Sequence, residues 1–491
     1  MAKQSITKNY IFNTAYQILN LITPLITAPY ISRILGADGV GTYSYTNSVV
    51  AFFVLFSALG TTVYGQRAIA QSREHRELCS KTFWEIEILS LIVTAICTII
   101  WVLLSLSSSE YGLYFIILTM EILAKGFDIS WFYGGLEQFK HIVLRNVVVK
   151  IISIVLLFLL VNTENDLWIY IAIVSAGKLG ANISMWIGLN KFVDTVAFKK
   201  LNIKSHLKET FAYFVPTAAA SVYTYLDKVM LETFTDSTVE NGYYEQAHKI
   251  ISMAHSIVIS LNTVMSSRMS YLFAYNDKKQ IKDKLEKAVA FIMTLSVPLV
   301  FGVSAIAHNF VPWFFGDGFE KVSILLIMMS PLILILSFHN FLSAQYLVPS
   351  GQRVRSTKGV FIGAGVNFVL NLILIPKFQS VGAVFATLIA ETSICIVYLW
   401  MSKEYVSPRL LFKYLPKQLI AAVIMAVIAL LIGKDRNGNI LVTILQVVAG
   451  AVIYFGMLLI MKENFTCSMS NTVIAKFKNK SKSLKQNGDK V

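Results

Sequence analysis

The chain has 491 residues, 55% of them hydrophobic and 14% charged, with a mean hydropathy of +0.62. Its net charge of +15 is spread over short linkers and a tail carrying Lys476, Lys478, Lys480, Lys482 and Lys485. That distribution suits anionic lipid and speaks against a nucleic-acid patch, while Cys79, Cys97, Cys395 and Cys467, with no Cys-x-x-Cys pair, speak against disulfides and a cysteine metal site.

Apolar stretches of about twenty residues, each long enough to cross the hydrocarbon layer as a helix, follow one another along the whole chain. The spacing predicts fourteen helices, over 10–34, 41–65, 82–106, 111–133, 143–161, 167–189, 210–234, 243–265, 285–309, 321–347, 358–376, 381–401, 417–433 and 440–461. Lys3 and Lys8 precede a first stretch too long for a signal peptide and lacking a small-residue cleavage site, so it reads as a retained helix. Most of the 43 Lys and Arg fall in the N-terminus, every second linker and the tail. The opposite linkers carry Asp38, Glu110, Glu164, Asp166, Asp236, Glu240, Asp317 and Glu320, so the positive-inside rule puts both termini in the cytoplasm.

The expected class is therefore an all-α, polytopic membrane protein of about 14 transmembrane helices. Gly41-Thr42-Tyr43-Ser44 at the start of the second helix is echoed by Gly242-Tyr243-Tyr244-Glu245 at the start of the eighth, and Gly135 to Lys140 before the fifth by Gly351 to Arg355 before the eleventh. An echo six helices apart preserves orientation and predicts two parallel six-helix lobes around a central cavity, over 1–200 and 201–405. Two further helices over 406–465 and a basic cytoplasmic tail over 466–491 complete the expected organisation.

Ionisable groups inside a span cost about 2.5–3.5 kcal/mol each at the bilayer centre unless protein or water receives them, so they mark the working interior. In chain order the basic ones are Arg33, Lys125, Lys178, Lys228 and Lys249, and they are accompanied by Glu121, Asp128, Asp227, Glu245, Glu391, His248, His255, His308 and His339. Glu121, Lys125 and Asp128 share one face of the fourth helix, and Glu245, His248, Lys249, Ser252 and His255 share one of the eighth. Asn13, Gln17, Asn20 and Thr27 stripe the first helix, and Gly359, Gly363, Asn367 and Asn371 stripe the eleventh. The charges either pair among themselves, as Glu121 with Lys125, or remain available to a ligand, a reading favoured for Arg33 and Lys178, which lack an acid nearby in sequence. The Asn and Gly stripes read first as packing surfaces and hinges. Pro24, Pro29, Pro216, Pro298 and Pro331 bend their spans.

Neither side offers a loop long enough for a soluble catalytic domain, and no Gly-x-x-x-x-Gly-Lys-Ser/Thr phosphate loop is present, so function is expected within the bundle without direct use of ATP and without a cofactor. Fixed cations in a membrane suit a desolvated anion, and Tyr43, Tyr45, Asn47, Tyr223, Tyr225, Asn367 and Asn371 offer hydrogen-bond partners and flat surfaces to a ligand.

The segment Ser32-Arg33-Ile34-Leu35-Gly36-Ala37-Asp38-Gly39-Val40-Gly41-Thr42-Tyr43-Ser44 resembles the Ser-Arg-x-Leu-Gly-x-x-Gly-x-Gly-x-Tyr signature of bacterial polysaccharide repeat-unit flippases. These form the Wzx-like branch of the multidrug/oligosaccharidyl-lipid/polysaccharide exporter superfamily. The turn from Gly135 to Lys140 and Tyr225-Leu226-Asp227-Lys228 look similar too. The resemblance implies a flippase, not an enzyme, in the bacterial cytoplasmic membrane, moving undecaprenyl-diphosphate-linked oligosaccharide to the outer leaflet for capsule, O-antigen or a related glycan. It implies alternating access, a cationic cavity with Arg33, Lys125, Lys178, Lys228 and Lys249 as candidates, and a lateral gap between helices one and eight for the prenyl tail. Polysaccharide polymerase and chain-length machinery are the partners it suggests. Asp227 first, then Glu121, Asp128, His255 and Glu391, would bind a coupling proton or cation. A cation-coupled multidrug exporter of the same superfamily is the alternative, and a membrane polymerase or ligase on the same lipid is a third.

Overall fold

The computed structural model describes residues 6–260, 262–434 and 438–471; the tail lysines from Lys476 onward lie outside them, as do the side chains of Asn13 and Gln17. Among the described residues there is no strand. The helices are α1 (Ile6–Ala58), α2 (Thr61–Ser72), α3 (Arg76–Ser107), α4 (Gly112–Gly126), α5 (Ser130–Gly135), α6 (Phe139–Leu160), α7 (Leu167–Ser184), α8 (Lys204–Thr235), α9 (Thr238–Ile259), α10 (Asn262–Ala274), α11 (Lys278–Phe315), α12 (Glu320–Met329), α13 (Pro331–Phe341), α14 (Arg353–Met401), α15 (Pro408–Gly433) and α16 (Ile440–Ile460).

Every expected span falls on these helices, the second, fourth, eighth and tenth each on two of them. Among the described residues eight helices are long and apolar enough to cross a membrane, and the bent α12–α13 pair would make a ninth. Two of the eight, Ile18–Ser72 and Arg353–Met401, each hold two expected spans. The joints are backbone breaks, at Gly36 with φ 65° inside α1 and at Gln379 with φ 54° inside α14. Gly36 takes that left-handed conformation at no steric cost because it has no Cβ. Side chains such as Ile99, Leu103, Leu159, Ile396 and Trp400 stay exposed, which is the lipid-facing arrangement of a membrane bundle.

Several boundaries differ from expectation, and three of them have a local cause. The second span stops at Ala58, because Gly60 at φ 74° turns the chain where a Cβ would collide with the Thr210 carbonyl. The fourth ends at Gly126 and restarts as α5, with the Asp128 carboxylate accepting the Ser130 N–H at 3.0 Å. Asp128 therefore sits beyond the helix and not on the face of Glu121 and Lys125. Pro331 divides the tenth span, starting a new helix bent by 40°.

Packing gathers the described residues into two compact units, one within residues 1–245 and 368–383, the other within 246–367 and 384–491. The first has an aromatic core in which Phe83, Trp131, Phe132 and Tyr133 are all at most 2% exposed, and Tyr133 donates to the Met185 carbonyl at 2.7 Å. In the second, α11, α15 and α16 pack together, with the Trp313 Nε1–H donating to Thr443 Oγ1 at 2.8 Å. Gly359 abuts the Tyr398 ring and Gly363 the Ile394 side chain, so that part of the stripe is a packing surface.

Candidate functional site

The first unit encloses a cavity of about 740 Å³. That is within the usual range of roughly 300–1,000 Å³ for ligand sites. Its wall is built by α1, α4, α6, α7 and α8, and the charged side chains on it are Lys125, Lys150, Lys178 and Glu121. Lys125 and Glu121 project from α4, Lys178 from α7 and Lys150 from α6, because each lies on the inner stripe of a helix whose opposite face is apolar.

The partners decide what each lysine can do. Lys178 Nζ lies 2.6 Å from Glu121 Oε1, with 48% of the lysine side chain exposed. Lys125 Nζ lies 2.7 Å from Asp128 Oδ2 and donates to Thr62 Oγ1 at 2.9 Å. Lys150 Nζ donates at 2.6 Å to Asn20 Oδ1, a neutral amide. The expected local pair of Glu121 with Lys125 is thus replaced by two others, and Lys178, which lacks an acid on its own helix, finds one across the bundle. Two lysines hold carboxylates and one holds an amide, which leaves the wall cationic and Lys150 the lysine whose charge no acid offsets.

The remaining predicted residues are dispersed. Arg33 is exposed on α1 just before the Gly36 break and is not on the cavity wall. Lys228, also off this wall, is 2.6 Å from Glu245 Oε2. Asp227 is 3% exposed and accepts from the Tyr244 hydroxyl at 2.8 Å and Asn371 Nδ2 at 2.6 Å. In the second unit, Lys249 Nζ is 3.3 Å from Gln246 Oε1, Glu391 is 2.9 Å from His339 Nδ1, and His255 Nε2 is buried without a hydrogen-bond partner. Of the residues expected to meet sugars, Asn47 and Tyr225 line the cavity, and they are joined by Tyr170 and Asn146.

Comparison with known proteins follows the same line. The profile of the family described as polysaccharide biosynthesis protein matches residues 6–273. The chain belongs to that polysaccharide biosynthesis protein family. It is 26% identical over 388 residues to a protein of Shigella dysenteriae assigned as an O-antigen transporter, an alignment spanning 77% of this chain and 96% of that one. Among solved structures it is similar to the lipid II flippase MurJ in an inward closed conformation, with a TM-score of 0.73, 18% identity, and 93% of this chain and 98% of that one covered. It is also similar to an inward-facing multidrug resistance MATE transporter, with a TM-score of 0.61, 13% identity and 79% and 94% covered. At those identities the two structures establish a shared fold and nothing finer.

For this member of the polysaccharide biosynthesis family, Lys150 and Glu87 are among the charged residues that escaped the sequence reading, as are Glu85 and Glu232. Lys150 lies well inside the span expected at 143–161, and Glu87 inside that at 82–106, so the rule that singled out Lys125 applied to both.

Proposed function

We propose that this protein is a lipid-linked oligosaccharide flippase, carrying undecaprenyl-diphosphate-linked repeat units from the cytoplasmic to the outer leaflet by alternating access. The observation that carries the reading is the wall of three lysines against one glutamate. A diphosphate brings roughly two negative charges, and hydrogen bonds to charged groups are each worth about 1.5–3 kcal/mol. Lys150 receives the first anionic oxygen, and Lys125 and Lys178 exchange their carboxylates for the others. Asn47, Asn146, Tyr170 and Tyr225 meet the first sugars, while the prenyl tail remains in lipid. Arg33, Lys228 and Lys249 serve the cargo elsewhere on its path. Asp227, Glu121, Asp128, His255 and Glu391 are the groups proposed to take a coupling ion or proton.

On this reading the chain is a carrier in the bacterial cytoplasmic membrane with both termini inside, its repeat lobes run over 1–200 and 201–405, and it works beside a polymerase and chain-length machinery. A drug exporter for organic cations would favour an acidic wall, which is the opposite of the one present.

Cells deprived of the protein should accumulate lipid-linked oligosaccharide in the inner leaflet, as read by leaflet-resolved labelling. Wild-type protein should clear it, and a Lys125→Met, Lys150→Met, Lys178→Met triple variant reaching the membrane should not. An intermediate that reaches the outer leaflet in the absence of the protein would dispose of the proposal.

A further inference from the structure

Glu87 on α3 has no place in the cargo pathway described above. It is 0% exposed, and neither of its carboxylate oxygens has a hydrogen-bond partner. An ionised carboxylate held that way is among the costliest groups a protein can bury, and such an acid ordinarily carries a proton instead. Its surroundings give that proton a use. Of the titratable groups on the elements packed against α3, those acting on Glu87 are Lys125, one of the three cavity lysines, and Asp128, its ion-pair partner. From α2, Thr62 turns to Lys125, and from α8, His206 is taken up by Glu85 at 2.9 Å. Trp131 Nε1, from α5, is buried without a partner as well.

We propose that Glu87 is a proton-binding site and that its occupancy sets whether Lys125 can meet an anion. With the proton on Glu87, one acid and one lysine balance, and Lys125 is released at the cost of a single ion pair. Without it, two carboxylates compete for one ammonium and hold it back from the cavity. Proton and anion therefore bind with mutual support, and by linkage each raises the affinity for the other equally. The proton comes from water onto a Glu87 oxygen and returns to water when the anion leaves, with no other bond made or broken. The linkage to cargo rests on the diphosphate reading of the cavity; the proton site does not.

Full-length protein in lipid nanodiscs tests both halves. Infrared spectra should contain the carbonyl band of a protonated, non-hydrogen-bonded carboxylic acid that Glu87→Gln removes; a band that persists in the variant overturns the proton site. Farnesyl diphosphate, used as the probe, should bind wild-type protein more weakly as pH rises, by up to about tenfold per pH unit for one linked proton. Glu87→Gln should stay tight and follow only the probe's own ionisation, and an equally steep fall in the variant overturns the linkage. Lys125→Met should flatten the profile while keeping the band, which decides the matter if Glu87→Gln does not fold. If no protein binds the probe at any pH, the cargo reading and the linkage fall together, and the band alone upholds or removes the proton site.

Discussion

Lys150 is where a single side chain matters most, because its hydrogen bond goes to the Asn20 amide while Lys125 and Lys178 each hold a carboxylate. Replacing it removes a cation without orphaning an acid. Lys150→Met should therefore leave thermal unfolding nearly unchanged and weaken farnesyl diphosphate binding by about 1.5–3 kcal/mol, roughly ten- to a hundredfold. Normal affinity in a folded Lys150→Met would remove it from the site. Residues of this kind were partly legible in the sequence. A charge inside an apolar span is visible at once, and Lys125, Lys178 and Glu121 do converge on the cavity. Their pairing was not legible, because Glu121 meets a lysine on α7, and sequence spacing orders contacts only along one helix.

At the scale of elements, the echo between Gly41 and Gly242 acquires a physical reason. A Cβ on Gly41 would run into the Thr238 carbonyl, and one on Gly242 into the Ala37 carbonyl, so α1 just beyond its break and the first turn of α9 touch backbone to backbone. Thr238 Oγ1 also donates to Asp38, and Ser44 Oγ is 3.3 Å from Asn241 Oδ1. On the proposed orientation, with both termini inside, this junction lies at the outer end. If the proposed alternating-access cycle parts and closes this junction, even a methyl group at either glycine would keep the two backbones from this close approach. Gly41→Ala or Gly242→Ala should lower flipping markedly and slow disulfide cross-linking of an Asp38→Cys, Thr238→Cys pair. Undiminished cross-linking and transport in both variants would show that the close approach has no part in the cycle. The Gly-Tyr repeat was readable in the sequence, but its role was not, since contact of two backbones appears only when both helices are placed.

For the molecule as a whole, hydropathy was enough to expose the architecture: lipid and water sort residues so strongly that all fourteen expected spans fall on helices, with the breaks at Gly36 and Gln379 between expected spans, and the departures are local breaks at Gly60, between Gly126 and Ser130, between Ile259 and Asn262, and at Pro331. The same separation of charge governs the energetics of transport. On the proposed function the three lysines of the wall meet the cargo as an anion and remain with the protein. The charge that crosses the field is then mainly that of the diphosphate. One elementary charge is worth about 2.3 kcal/mol per 100 mV, so roughly two negative charges leaving a negative interior gain about 4–5 kcal/mol, enough to drive export without ATP. One proton accompanying the anion out through Glu87 would cancel about half of that gain. In proteoliposomes with a potassium diffusion potential, flipping of a fluorescent prenyl-diphosphate lipid should run away from the negative side, reverse when the potential is reversed, and collapse to equal leaflet occupancy with the potential abolished. The slope of the leaflet ratio against voltage then counts the charges moved, two without a co-transported proton and one with it, and a slope of zero would refute electrically driven export.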